Sequence, residues 1–541
     1  MHSQRKLNRI DGLLLIAVML LLGLYIYHIG YLNLSIPPLE DAAMVIRYEQ
    51  HLAQGHGIVW NIGDKPVDGA ANFLFVVLLA GLVKFGIPPE IATRCIGLTS
   101  HILTVIIVYI AIRKLHGSSQ WLALISASFI AVGPALAHTE AQFGTPFFAL
   151  FACITWYLAN KVVKEDNSHI TSVTFVSSGL IMGLIRPEGV FLAIFMLLSI
   201  LYMRGWKDSL RVILYFVGIF AIIGGGYFFW RWDYFGYPLP NPYYVKGGYF
   251  FEWYSLNLSF RNFFSLYGPF LIPFAVAFVR GFKSPQIAQQ AVFSLIPILG
   301  FIVLWGLLTI PANFYLRYQY PILPIVLIAW PALLAGIREE WNIPTLDSLN
   351  LRNRIAYILF VVVLSLGVLT YGRVDRNVTF HCDGRYDVAV MLNEYSHKGY
   401  TIAVTEAGLL PLYSNWRAVD TWGLNDQWIA HNGLTESYLD LYKPEVMMFH
   451  AYFSPIVPID KERSGSSYWR NITVKHYAEK NGYILAAVHG DSPYDTHYYY
   501  VRPDFPDSLE IVERIRGIRY CWFANGKQAI NYATLSLSTG K

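Results

Sequence analysis

Charge is scarce in this chain. Only 14% of its 541 residues are Asp, Glu, Lys or Arg, against about a quarter in a soluble globular domain. That shortage excludes an ordinary water-soluble protein. No basic stripe interleaved with aromatics lies outside the apolar runs, which argues against a nucleic-acid partner. His51 and His56 lack an HxxxH or HExxH spacing, which disfavours a zinc site. No Rossmann glycine pattern follows a strand, so no nucleotide-sugar fold is indicated. Internal repeats and low-complexity tracts are also missing. The first apolar run is too long for a signal peptide and is followed by no small-residue cleavage site. It reads as a retained helix, with Arg5, Lys6 and Arg9 holding the N-terminus in the cytoplasm.

What is present is apolar: 55% of residues are hydrophobic and 16% aromatic, gathered into runs long enough to cross a bilayer. These runs lie near 10–30, 73–86, 89–112, 120–137, 143–160, 172–186, 188–203, 210–230, 262–279, 288–310, 318–337 and 355–371. The run 73–86 is short and interrupted by Lys84. Read as a juxtamembrane helix, it leaves about eleven crossings. The clusters Arg113/Lys114, Lys161/Lys164, Arg204/Lys207/Arg211, Arg280/Lys283 and Arg338/Arg352/Arg354 then all face the cytoplasm. The same parity puts the 31–88 loop, the Arg186–Gly189 turn, the 231–261 loop, the 311–317 connection and everything after Tyr371 outside. The expected architecture is an α-helical polytopic membrane protein: a bundle over 1–371 and an extracytoplasmic α/β domain over 372–541. In that domain β-prone runs at 401–405, 445–450, 483–488 and 497–502 alternate with helix-like stretches at 386–396 and 507–515. Cys95 and Cys153 read as packing residues in apolar runs. Cys382 and Cys521 either staple the outer domain or are unrelated buried thiols; spacing leaves both open.

The polar stretch from Leu39 to Asn72 carries the richest chemistry. The adjacent carboxylates Glu40 and Asp41 suit a base that deprotonates a sugar hydroxyl, with Asp41 the first choice and Glu40 the second. Asp41 would also cap a helix starting near Ala42. Arg47 follows at helical spacing and could pair with a carboxylate. Gly55-His56-Gly57 reads as a turn, and Gly69-Ala70-Ala71 as a close backbone approach. Pro238, Pro240 and Pro242 predict a stiff, extended loop ending at Lys246, a compact cation suited to a phosphate. Snorkelling is the plainer role for such a lysine, but its place on the outer face weighs against that. Tyr243 and Tyr244 could form an interfacial belt or a sugar platform. Arg186, Glu188 and Arg317 sit at outer span ends, where charge is costly and tends to be functional. Arg186 and Glu188 could satisfy one another. Arg317 has no obvious acidic neighbour and ranks above Arg186 as a phosphate contact. His138 and Glu140 are weaker candidates for substrate binding. Glu40, Asp41 or Asp68 leave room for a divalent cation, though no acidic cluster is complete enough to demand one.

Several of these segments together resemble a family. Glu40-Asp41-Ala42, Arg47-Tyr48, Leu52-Ala53, Gly55-His56-Gly57, Val59, Asn61 and Asn72-Phe73 are similar to the first outer loop of GT-C-type polyprenyl-phosphate-sugar glycosyltransferases. The terminal β-(1→2)-arabinofuranosyltransferase group and its bacterial relatives are the nearest likeness. The run GYPLPNPYYVK from Gly236 to Lys246 agrees with them. So do TEAGLLPLYS from Thr405 to Ser414, Val419-Asp420, and Gly423 to Asp426. Three departures stand out. The family often has Asp-Asp where this chain has Glu40-Asp41. It often has an acid where this chain reads Gln142-Phe143-Gly144-Thr145, and Glu140 could substitute. It has Asp-Ala-Gly where this chain has Glu406-Ala407-Gly408.

The resemblance implies a GT-C-like bundle in a bacterial inner (plasma) membrane and a polyprenyl-phosphate-linked sugar, such as arabinofuranose, as donor. It also implies a catalytic acid pair in the first loop and an extracytoplasmic glycan or protein acceptor. On that reading Lys246, Arg317 and Arg186 hold the donor phosphate. Arg47, His56, Asn72, Glu188, Tyr243, Tyr244, His138 and Glu140 contact substrate. The lipid-linked donor is the group the site must hold, and a divalent cation stays open beside it. Two rivals remain: a flippase of lipid-linked sugars, which predicts inverted repeats and broken midplane helices, and a non-catalytic membrane assembly protein.

Overall fold

The computed structural model describes residues 7–28, 30–31, 33–116, 120–133, 135–165, 168–246, 253–280, 285–308, 313, 316–341 and 382–538. The expected span at 355–371, with Arg352 and Arg354, lies outside the described residues. Most apolar runs form helices close to the expected bounds: Arg9–His28, Pro89–His116, Thr145–Lys164, His169–Ile185, Glu188–Arg204 and Pro285–Leu308. Six helices among the described residues are long and apolar enough to cross a membrane. Helix Phe73–Lys84 has 12 residues, a length of about 18 Å, well short of the roughly 30 Å hydrocarbon core.

The two ends of the bundle differ in chemistry. At one end, buried Asp11 accepts hydrogen bonds from Arg113 Nε and Tyr109 OH, both at 2.8 Å. Lys164 donates to the Leu115 carbonyl, and Arg204 donates to the Val162 carbonyl at 2.7 Å. Three of the basic clusters that the topology put on one side are thereby gathered at one place. At the other end the polar segments assigned to the opposite side meet. Arg317 pairs with Asp41 and Arg231 with Asp68, and Arg186 Nη1 reaches Asn72 Oδ1 at 3.3 Å.

The C-terminal domain, called the outer domain after its expected side, carries a six-stranded mixed sheet: β1 (Thr401–Val404), β2 (Arg417–Asp420), β3 (Val446–Ala451), β4 (Ile484–Ser492), β5 (Asp495–Val501) and β6 (Ile530–Asn531), in the order β2-β1-β3-β5-β4-β6. β1 runs parallel to β2 and β3, and the remaining pairs are antiparallel. The four β-prone runs became β1, β3, β4 and β5; β2, with a charged residue at each end, and β6, of two residues, lack an apolar run to be read. Cys382 and Cys521 are disulfide-bonded across 139 residues with Cα atoms 5.8 Å apart, which decides between the two readings of that pair.

The first outer loop is built into this domain. Val45, Tyr48, Ile58, Trp60 and Phe75 share one buried cluster with Val388, Leu392, Trp416 and Met448. Trp60 Nε1 donates to the Ala418 carbonyl at 3.1 Å, and Arg417 pairs with Asp64 at 2.8 Å. Gly69 lies so close to Leu424 and Asn425 that a Cβ would overlap both, as its reading as a close approach required.

Three local expectations are corrected. The helix after Leu39 begins at Glu40, with Leu39 as an N-cap lacking a side-chain bond, so Asp41 lies inside the first turn and does not cap it. The proline-rich loop is not extended: it bends from Gly236, which is left-handed, through Leu239. Asn241–Lys246 is helical, because Pro242 falls in the first turn, where a missing N–H costs nothing. Cys95 is exposed on the outside of the bundle rather than packed within it.

Candidate active site

The site grows from the N-terminus of helix Glu40–Ala53, where two successive side chains point to different partners. Asp41 faces the bundle. Its Oδ2 is paired with Arg317 Nη1, and Arg317 Nη2 donates to Tyr318 OH at 3.1 Å. The Arg317 guanidinium lies 5.1 Å from the ring centres of Phe143 and Tyr318, so it is held on two aromatic faces. Burial opposes the charge of Asp41, but Arg317 and then Lys246 outweigh it and hold the carboxyl below its usual range. Lys246 therefore opens onto the same end of the bundle as Asp41, as the sidedness read from the sequence requires. Arg317 does have an acidic neighbour, and it is the candidate base, 276 residues away.

Glu40 faces the outer domain. Its Oε1 accepts the Gly408 N–H, and its Oε2 lies 3.4 Å from Arg385 Nη1 without accepting a hydrogen bond. Arg385 is engaged elsewhere. Nη2 and Nε bind Asp383 at 2.6 and 3.0 Å, and Nη1 binds Glu406 Oε2 at 2.9 Å. Glu406 Oε1 lies 3.3 Å from His450 Nδ1, whose Nε2 is 2.5 Å from Asp495 Oδ1. One line of charged contacts thus runs from Glu40 through Arg385, Glu406 and His450 to Asp495. Burial raises Glu40, and neighbouring Glu406 and Asp383 add to that against Arg385. Burial works against Glu406 too, but His450 and Arg385 keep it ionised. His450 is raised to about 9, burial being outweighed by its bonds to Asp495 and Glu406.

The other expected site residues divide clearly. Arg186 and Glu188 pair at 2.9 Å and, with Asn72, form their own cluster. Tyr244 packs 4.4 Å from the ring of His431, and Tyr243 is exposed. Glu140 lies near enough to act on Tyr31. Three corrections follow. Arg47 is not open to substrate: it is buried, donating to the Trp60, Pro411 and Trp416 carbonyls and to Asn61 Oδ1. His56 lies beyond the far end of the 14-residue helix, about 20 Å from Asp41 at 1.5 Å per residue. His138 is fully buried and stacked at 4.4 Å on Tyr320. Among the described residues no three His, Cys, Asp or Glu side chains converge as a metal-ligand set.

Sequence reasoning missed Arg385, Asp383, His450 and Asp495. Asp383-Gly384-Arg385 carries no catalytic spacing, and His450 looks like one residue of an ordinary strand. Glu406 entered only through the Glu-Ala-Gly resemblance.

The apo structure of ArnT from Cupriavidus metallidurans aligns with a TM-score of 0.54 at 13% identity, over 90% of this chain and 98% of that one. The chain has the GT-C fold. The arabinofuranosyltransferase AftD from Mycobacteria aligns with a TM-score of 0.50 at 13% identity, over 93% of this chain and 42% of AftD. A family model described as a domain of unknown function, DUF8728, matches residues 376–502, within the outer domain and its approach. No curated protein matches the chain. In this GT-C chain the acid pair sits where the bundle, the first outer loop and the outer domain join.

Proposed function

We propose that this protein is a membrane glycosyltransferase that moves a sugar from a polyprenyl-phosphate donor to an extracytoplasmic glycan or protein acceptor. The observation that carries the reading is the placement of Asp41. It is an ionised, partly accessible carboxylate flanked by Arg317 and Lys246 at the outer end of a GT-C bundle. Lys246 and Arg317 hold the donor phosphate and stabilise the charge that grows on it as the glycosyl bond breaks. Asp41 accepts the acceptor's hydroxyl proton while the acceptor oxygen bonds to the anomeric carbon. The electron pair of the broken bond leaves with the lipid phosphate. The likeness to arabinofuranosyltransferases makes arabinofuranose the first donor sugar to try.

The test incubates purified protein with radiolabelled polyprenyl-phosphate sugars and follows transfer or donor hydrolysis, with and without a chelator. Turnover is expected from the wild type. Asp41→Asn is expected to abolish it while leaving the protein folded. Lipid translocation without turnover would favour the flippase. Full activity in both Asp41→Asn and Glu40→Gln would remove the acid pair from the mechanism.

A further inference from the structure

Two neighbouring carboxyls in one site need different protonation states if one is to act as a base beside an anionic donor. The seam between the domains supplies the means. Asp41 has Arg317 as a partner and also feels the charge of Lys246. Glu40 has only the remainder of one, because Arg385 gives two nitrogens to Asp383 and holds Glu406 at 2.9 Å against 3.4 Å for Glu40. Glu40 Oε2 is buried without a hydrogen bond, a costly position for a charge.

His450 faces the other oxygen of Glu406 and so divides that carboxylate with Arg385, and His450 is braced from behind by Asp495. The edge of His497, 4.8 Å away, completes the wall with Trp522 and Phe523. His497 adds no charge there, since burial first, then His450 and Arg385, hold it well below its usual range. Asp383 lies behind Arg385, and the Gly408 N–H is the remaining polar group on Glu40.

We propose that Glu406 and His450 are positioning residues for the transfer reaction: Glu406 claims Arg385 and so leaves Glu40 protonated beside an ionised Asp41, and His450, by sharing the Glu406 carboxylate, sets how firmly Arg385 is claimed. The inference rests on Asp41 being the base. A neutral Glu40 removes one negative charge from the approach of the donor phosphate and still accepts the Gly408 N–H through its carbonyl oxygen. When Glu40 ionises, donor capture weakens.

The test is the pH profile of kcat/KM for the donor in the full-length protein. The wild type should lose activity on the alkaline side with a midpoint near 7, where burial places Glu40. His450→Gln removes a positive charge and hands Arg385 more fully to Glu406, so the midpoint should rise by roughly one unit. Glu406→Gln releases Arg385 to Glu40, so the midpoint should fall by roughly one unit. Opposite shifts cannot come from general loosening of the fold, which would lower activity alike in both. Shifts of the same sign, or none, overturn the inference. A wild-type profile with no alkaline limb overturns it even if a variant fails to fold. If the wild type shows no transfer, or Asp41→Asn retains it, the proposed function itself has failed. Asp41-dependent transfer without these shifts sinks only the positioning role.

Discussion

Gly408→Ala tests whether the outer domain sets the geometry of the acid pair. A Cβ at 408 would lie 2.0 Å from the Glu40 carbonyl oxygen, 2.7 Å from its carbon and 2.8 Å from Oε1. Carbon–oxygen contacts settle near 3.3–3.6 Å, so the seam must open by more than about 1 Å. Two of these atoms are backbone at the start of the helix that carries Asp41, so the obstruction cannot rotate away. Overpacking of this kind costs about 1–3 kcal/mol, and losing the Gly408 N–H bond to Glu40 adds about 1 kcal/mol. The chain should still fold, because the same interface is also held by Trp60, Arg47 and the Arg417–Asp64 pair. A displacement of about 1 Å at a reacting group costs on the order of a hundredfold in rate. Gly408→Ala should therefore lose roughly that factor in kcat with a modest drop in melting temperature. Gly517→Ala, where nothing lies within 4 Å of the added carbon, is the control and should match the wild type in both. Initial rates with a labelled lipid-linked donor read the effect. A wild-type kcat/KM in Gly408→Ala would refute the claim that the seam holds the base in place.

Two further substitutions separate binding from framework. Lys246→Ala removes a cation that acts on Asp41 and should raise the donor KM roughly tenfold or more, the worth of a charge-assisted contact; an unchanged KM and kcat would take it out of the site. Arg47→Ala strips a buried guanidinium from three carbonyls and one amide oxygen, and unfolding measurements should show a loss of about 3–5 kcal/mol. A folded Arg47→Ala with only a raised KM would restore it as a substrate contact.

The bundle was legible because lipid imposes one rule, that runs of apolar residues become helices. The shortness of 73–86 and the bias of Arg and Lys toward one side gave the sidedness that Asp41, Arg317 and Lys246 now share. Short-range rules also served the outer domain, where alternating runs became β1, β3, β4 and β5. What sequence could not supply was partnership at long range. Arg317 looked unpaired because its carboxylate lies in the first outer loop. Arg47 looked like a ligand because its acceptors are carbonyls of residues 60, 411 and 416, and carbonyls leave no side-chain signature. His56, near in sequence to Asp41, was put at the far end by the rise of the intervening helix. Arg385 and His450 matter only because the fold brings helix Gly384–Asn393 and β3 of a distant domain against the start of that helix.

The ion pair at Asp41 poses a chemical problem whose solution is measurable. A carboxylate held by two cations is a weak base, because those charges stabilise it and lower its affinity for a proton. On the proposed mechanism the same two cations are the donor's phosphate cradle. A phosphodiester arriving between Arg317 and Lys246 brings its own negative charge, draws Arg317 off the carboxylate and offsets the charge of Lys246. Asp41 then regains proton affinity at the moment the acceptor hydroxyl must be deprotonated, and loses it in the empty site. The acid limb of kcat/KM reports the free enzyme, and that of kcat the donor-bound enzyme. Since Asp41 starts below its usual range, the kcat limb should lie at the higher pH of the two. Coincident limbs, or a kcat limb displaced toward acid, would mean that phosphate and Asp41 do not compete for the same cations, and the base would have to be sought elsewhere in the site.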